Sequence, residues 1–420
     1  MLVSFSVQNY LSFKEKTTLS LEARSIKEHK ETNTFVAGYK QNELLKTLAI
    51  YGENSSGKSN LIKALQFIIN FIRNSAKESQ AEEAIDVTNF LFSTTTVHKP
   101  SSFEIVVVVE KLTYRYTFTV NQESVLEESL YFTNRHSEKL LFKRIGESIQ
   151  IDSIKFIEGK EINEKKLLRK NALLISVAAL FNGTISTNII RTLSKFIFLG
   201  DRISRYPISP SFNSNILQRD LTLSLIKFAR LGFENIKVEP QGKMQRVLGS
   251  GRSDSLVFYE GPSPIQTEHY VLNENNQPDS KIFMDLENES LGTQKFLALT
   301  GPIIDSLVNG KILVIDEFTS KMHPQLAVMI LNLFHSKGSN PNNSQLIFAT
   351  HNTFLMDSKW FRRDQVIVTE KNESYATVLS NLIDKGVRYD ASFEKKYFDD
   401  ILLPLPQQEL KIGQQMSLDL

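Results

Sequence analysis

Residues Gly52-Glu53-Asn54-Ser55-Ser56-Gly57-Lys58-Ser59 fit the pattern G-x-x-x-x-G-K-S. The glycines let the backbone curl until its N–H groups face phosphate oxygens. A helix opening at this point turns the positive end of its dipole toward the same anion. Lys58 would reach the β and γ phosphates of ATP, and the Ser59 hydroxyl would ligate Mg²⁺. Asn60 follows directly and closes the expected nucleotide-binding stretch.

A second element reads Lys311-Ile312-Leu313-Val314-Ile315-Asp316-Glu317. An apolar run ending in two carboxylates describes a buried parallel strand with acids at its C-terminal end. Ligands of α/β sheets bind at that end. Asp316 would hold the Mg²⁺ shell, and Glu317 would orient or deprotonate an attacking water. Two further groups suit the same chemistry. Ser290 and Gly292 open a helix in ESLGTQ, where a phosphate can bind, although on local sequence alone Ser290 reads first as a plain N-cap. His351 ends the apolar run Gln345–Thr350, where it can donate to a γ-phosphate and sense its loss.

These residues need a sheet to bring them together. The run Leu44–Tyr51 reads as one strand leading into the glycine loop, and NLIKALQFIINFI from Asn60 has helical spacing without a breaker. Residues 2 to 8 alternate like a strand. From about 103 to 150, segments rich in Val, Tyr, Phe and Thr predict an antiparallel meander. From about 161 to 232, the segments EKKLLRKNALLISVAALF, ISTNIIRTLSKFIF and LQRDLTLSLIKFARLGF read as helices, with a Ser/Pro/Asn break near 203 to 215. Short strands return at 235 to 285, and a helix–strand alternation follows beyond 290.

The fold class expected is α/β, a P-loop nucleotide-binding sheet with a meander and an inserted helical module. The expected division is 1–155 for a first lobe, 156–235 for the helical insertion and 236–420 for a second lobe. The tail QQELKIGQQMSLDL reads as frayed or as an interaction arm. Lys plus Arg is 49 against 47 for Asp plus Glu, so the chain is not a globally basic nucleic-acid coat. There is no cysteine, which excludes disulfides, Cys-based zinc sites and a Cys nucleophile. No signal-peptide pattern and no apolar run of ~18 residues are present, so a cytoplasmic location without a membrane partner is expected.

Together the glycine loop, ESLGTQ, the Asp316-Glu317 strand and His351 resemble the ATP-binding-cassette type of ATPase head, as in SMC, RecF and OLD-nuclease ATPases. The first strand, VQNYLSF, is similar to that of this group, with Leu11 where a basic residue usually stands. More narrowly the sequence resembles the small OLD-like, AAA-labelled ATPases of bacterial anti-phage operons. The matching residues are Ser290-Leu291-Gly292-Thr293, Ile315-Asp316-Glu317-Phe318, His323-Pro324, Thr350-His351-Asn352 and Arg362-Arg363-Asp364-Gln365. The resemblance implies ATP and Mg²⁺ as ligands and ATP hydrolysis as the activity. It also implies a head-to-head homodimer or higher homo-oligomer. Ser290, Gly292 and Thr293 of one chain would then face the ATP of the other, with Ser320 contacting the partner's site. His323 has a plainer reading as a turn-stabilising side chain before a helix.

After His351 the chain lacks the D-x-D pattern of the nuclease domain that OLD nucleases carry, and no long coiled-coil heptad is present. The leading expectation is therefore a regulatory ATPase of anti-phage defence that senses a trigger or controls a separate effector, a nuclease or toxin. A RecF-like DNA-binding repair ATPase is the rival, with nucleic acid as a candidate partner. Lys165, Lys166, Arg169 and Lys170 could supply its basic groove, or form one solvated helix face. A non-hydrolysing nucleotide-dependent scaffold is the third reading.

Overall fold

The computed structural model describes residues 1–77, 80, 82–134, 137–200, 215–238, 244–247, 255–258 and 265–401. The expected break lies outside these residues up to position 214, and so does the tail QQELKIGQQMSLDL.

The nucleotide-type sheet has six strands in the order Phe196–Leu199, Ile312–Ile315, Gln345–Ala349, Thr47–Gly52, Val366–Lys371, Thr377–Asn381. The first five run parallel and the last turns back antiparallel. Register places Ile315 beside Phe348 and Phe348 beside Ala49. The chain therefore leaves three adjacent strands at one edge, toward Gly52, Asp316 and Thr350. Alternate side chains serve two cores, as the period of two requires. Leu48, Ile50, Ile312, Val314, Ile347 and Ala349 face one layer. Ala49, Tyr51, Leu313, Ile315, Leu346 and Phe348 face the other.

The first layer is the helix Lys58–Asn74, whose buried Leu61, Ile62, Leu65, Ile68, Ile69 and Ile72 recur at helical spacing. It is roofed by a seven-stranded antiparallel sheet, in the order Ser148–Ile151, Glu138–Ile145, Val125–Thr133, Leu112–Val120, Ser101–Val109, Leu2–Gln8, Thr17–Ser20. Phe5, Phe103, Ile105 and Phe118 of that roof share the helix's core. The second layer is the pair of helices Leu291–Asn309 and Pro324–His335, through Phe296, Leu299, Ile303, Ile330 and Phe334. The α/β P-loop fold and its meander are thus as the sequence predicts.

Three element readings are corrected. Leu44–Tyr51 is two strands, because Lys46 interrupts it. Asn42–Leu45 pairs with Thr34–Ala37, whereas Thr47–Gly52 joins the main sheet. Lys46 is buried and its Nζ donates to the His335 carbonyl at 2.9 Å, which fixes the crossover. ISTNIIRTLSKFIF is helical only to Leu193. Its last residues form the strand Phe196–Leu199, parallel to Ile312–Ile315, because an apolar run flanked by a buried strand gains a full ladder there. EKKLLRKNALLISVAALF is helical only at its first residue, Glu164, which ends the helix Ile157–Glu164, and over Leu174–Leu180, with turns and coil between. Lys165, Lys166, Arg169 and Lys170 sit in that coil, so they form no helix face. Lys165 pairs with Glu161, and Arg169 Nη2 donates to the Ala76 carbonyl at 2.9 Å.

Candidate functional site

The glycine loop needs two backbone shapes that side chains resist. Gly52 has φ +152° and Gly57 has φ +117°. A Cβ on Gly52 would lie 2.2 Å from Thr369 Oγ1, and one on Gly57 2.2 Å from Thr377 Oγ1. Both positions are therefore closed to any other residue. Thr369 and Thr377 come from the last two strands of the sheet, so the loop is held from behind by a distant hairpin. The Ser56 hydroxyl turns inward to Thr369 Oγ1 at 2.6 Å, and Ser56 is not among the residues that line the cleft.

Lys58, 7% exposed, donates to the Gly52 and Glu53 carbonyls at 2.9 and 2.8 Å. Burial pulls its pKa down, opposed by the nearby Asp316 and Glu317 carboxylates. Asn54, Ser55, Gly57, Lys58, Ser59 and Asn60 line a cleft of about 220 Å³, closed on the far side by Asp316, Glu317, Thr350 and His351. Phosphate donors, two carboxylates and a histidine thus share one cavity. Asp316 Oδ1 accepts from the Glu317 N–H at 3.1 Å. Glu317 itself stands at φ +52°, a left-handed conformation that a non-glycine residue holds only when its neighbours impose it. Thr319 Oγ1 and Thr350 Oγ1 bond at 2.5 Å, tying the turn after the acids to the strand that ends at His351. Burial lowers the His351 pKa, and Lys58 adds to this while Asp316 opposes it, so the ring is held neutral further into acid than a free imidazole.

The residues present fit a nucleotide and its metal. A glycine cradle admits no Cβ, a lysine is stored on backbone carbonyls that a phosphate could replace, and a serine and a carboxylate sit across from each other in one cleft. Two oxygen ligands suit Mg²⁺, which keeps several waters.

Ser290, Gly292 and Thr293 do not line this cleft. Ser290 caps the helix Leu291–Asn309, its Oγ accepting from the Thr293 N–H at 3.1 Å. The three residues line a separate groove with Lys227, Phe228, Arg230, Lys321 and His323. Ser320 is half-buried, and its N–H donates to the Glu317 carbonyl at 3.2 Å. His323 caps the helix Pro324–His335, with Nδ1 accepting from the Gln325 N–H at 3.3 Å. Leu11 lies in a turn at φ +49°, its N–H on the Thr88 carbonyl. Sequence reasoning missed Thr369, Thr377 and Lys295. Each sits in an ordinary apolar strand or helix pattern, so no local signal marks it.

Among the described residues, no helix is long and apolar enough to cross a membrane. No curated protein matches the chain. Among solved structures, the SMC head domain from Thermotoga maritima is similar at 14% identity and a TM-score of 0.40, over 90% of this chain and 98% of that one. The Smc head domain derived from Pyrococcus furiosus, bound to the C-terminal domain of ScpA, is similar at 14% identity and 0.41, over 92% and 97%. The dimeric ATP-binding cassette MJ0796 bound to ADP and Pi is similar at 11% identity and 0.31, over 90% and 98%. A family match covers residues 48–183 and 187–357, a span that runs from the P-loop strand to beyond His351. The chain belongs to this family, described as "AAA domain, putative AbiEii toxin, Type IV TA system", an ATPase-type domain.

Proposed function

We propose that this chain hydrolyses ATP as a head-to-head dimer and uses the cycle to control a separate effector in defence against phage. The observation that carries the hydrolytic part is the meeting of Lys58, Asp316, Glu317 and His351 in one cleft. Lys58 would leave the Gly52 and Glu53 carbonyls for the β and γ phosphates. Ser59 and Asp316 would hold Mg²⁺, which supplies neutralising charge to the phosphate oxygens when bound. Glu317 takes the proton of the attacking water as its oxygen bonds to the γ-phosphorus and the bond to ADP breaks. Neutral His351 donates a hydrogen bond to the terminal phosphate.

The dimer is supported by what the cleft lacks. Ser290, Gly292 and Thr293 face a groove of about 1320 Å³ rather than the chain's own cleft. Serving a phosphate from there takes a second copy, and a two-fold pair makes both sites shared. The family's description names a putative toxin of a toxin–antitoxin system, which supports a two-component setting, while the separate effector rests on the sequence resemblance.

Glu317→Gln tests the reading. It should lower turnover at least ~100-fold, as loss of a general base does, and should accumulate an ATP-dependent dimer by light scattering. Unchanged turnover would remove Glu317 from its role. Mixing the chain with its neighbouring gene product, with and without ATP, tests the effector part, and absence of any complex overturns it. DNA binding by the isolated chain that weakens with salt would favour the repair-type reading instead.

A further inference from the structure

We propose that Lys295 is a positioning residue that sets the backbone of Glu317 from the helix that Ser290 caps. The inference rests on the hydrolytic reading above and deepens it.

Lys295 lies little more than one turn into the helix Leu291–Asn309, since a turn takes ~3.6 residues. It is only 8% exposed, and its Nζ donates to the Glu317 carbonyl at 2.6 Å. A buried amine is costly unless bonded, so a lysine at this place answers a local need. The need is visible in Glu317. Its φ of +52° is imposed, and its carbonyl accepts twice, from Lys295 Nζ and from the Ser320 N–H at 3.2 Å. The next N–H, of Phe318, is fixed on the Ala349 carbonyl at 2.9 Å, beside the strand that ends at His351. With the carbonyl and the following amide both held, the Glu317 side chain can leave its Cα only in the direction of the cleft it lines.

The same helix touches the turn after Glu317 a second time. A Cβ on Gly292 would lie 2.7 Å from the Lys321 carbonyl, so the helix start and this turn are in backbone contact. Lys321 also stands at a left-handed φ, +63°. Two strained residues in one turn are thus clamped by one helix, at Gly292 and at Lys295. That helix begins at the groove, which shares no lining residue with the cleft. Whatever seats on Ser290 and Gly292 moves the element that holds the Glu317 carbonyl. Lys295 is the bond by which occupation of the groove sets the carboxylate in the cleft.

The test is Lys295→Met, which keeps the stem and removes the donor, with Lys295→Arg as the donor-retaining variant. ATP affinity, KM, kcat and melting temperature are measured on the full chain. Misplacing a catalytic group by ~1 Å costs ~100-fold. The methionine variant should therefore lose about 100-fold in kcat with KM and ATP affinity within about threefold, and the arginine variant should recover at least about tenfold of that loss. In a Glu317→Gln background, Lys295→Met should change turnover no further. A merely structural lysine predicts otherwise: kcat and ATP affinity fall together with the melting temperature, or turnover falls again in the Glu317→Gln background. Either result overturns the assignment, as does an unchanged kcat. If the methionine variant does not fold, the arginine variant decides by the same split between kcat and KM. A wild-type chain without turnover overturns the hydrolytic reading and this one together. A wild type that turns over beside an unaffected Lys295→Met overturns only the role of Lys295.

Discussion

The Thr377 hydroxyl donates to the Ser56 carbonyl at 2.7 Å, which joins the phosphate loop to a strand near the other end of the described chain. One hydroxyl has one proton. With that proton on a carbonyl, Thr377 Oγ1 accepts from the Ser12 hydroxyl at 2.8 Å and from Lys371 Nζ at 3.1 Å. Three segments thus meet behind Gly57. Thr377→Val leaves the Ser56 carbonyl buried without this donor, a cost of ~1–3 kcal/mol. If the loop must hold its shape to bind phosphate, ATP affinity should fall roughly 5- to 100-fold. Titration with a fluorescent ATP analogue measures this, and wild-type affinity would show that the loop keeps its shape without Thr377.

His351 should set the acid limb of turnover. Burial and Lys58 hold its pKa below the ordinary 6.5, with Asp316 pulling the other way. The neutral ring, which we assign to the active form, is retained as the pH falls past 6.5 and is lost only below that. The kcat profile should therefore stay level near neutrality and bend downward at a more acid midpoint. His351→Gln, an uncharged donor, should abolish that bend while lowering kcat by about 10- to 100-fold. A bend that persists in the variant assigns it to another group.

His335 makes the fold acid-sensitive. Its ring is buried beside Thr47, with Nε2 and Thr47 Oγ1 2.7 Å apart. Thr47 Oγ1 also accepts from Gln365 Nε2 at 2.7 Å, which holds this buried pair in place. Burial takes the pKa from 6.5 down to about 3, and the nearby Lys46 adds to this. Between those values the unfolded chain carries a proton that the folded chain does not. Stability then falls as pH drops through this window, by ~1.4 kcal/mol per pH unit. Denaturation midpoints for wild type and His335→Asn should differ in slope against pH across the window, and equal slopes would exclude His335 as the source.

Glu128 fastens the roof to the helices beneath it. The side chain is fully buried. It accepts from the Tyr116 hydroxyl at 2.6 Å and from the N–H groups of Leu174 and Ile175 at 2.9 and 3.3 Å, with Arg144 at 3.5 Å. It therefore satisfies two free amides at the start of the helix Leu174–Leu180. Burial pushes its carboxyl pKa up, and Arg144 with these donors opposes the rise. Glu128→Ala leaves the buried Arg144, still bonded to the Gly146 and Ala172 carbonyls, without its counter-charge and two amides without an acceptor, which should cost ~3–5 kcal/mol. Chemical denaturation followed by far-ultraviolet dichroism reads the loss. A cost under ~1 kcal/mol, as for an exposed pair, would mean that the cluster is wet.

Much of the site could be read in the sequence because its chemistry lies in short contiguous runs. Gly52 to Ser59 name their own backbone shape, since only glycine tolerates what Gly52 and Gly57 adopt. The apolar run before Asp316 and Glu317 and the one before His351 announce buried parallel strands, and the acids and the histidine necessarily fall at their ends. Those patterns are local, and periodicity reports them. What surrounds the cleft is not local. Phe196–Leu199 becomes a strand only because Ile312–Ile315 offers it an edge, and Lys46 splits an apolar run only because His335 takes its amine. Thr377 and Lys295 sit in patterns that ordinary core residues share, and their meaning comes from a carbonyl that folding brings within bonding distance. Sequence alone determined which groups could act on a phosphate. Tertiary structure decided which of them share a cavity and which line a separate groove, because that depends on strand order and on contacts across more than 300 residues, such as Thr377 on Ser56.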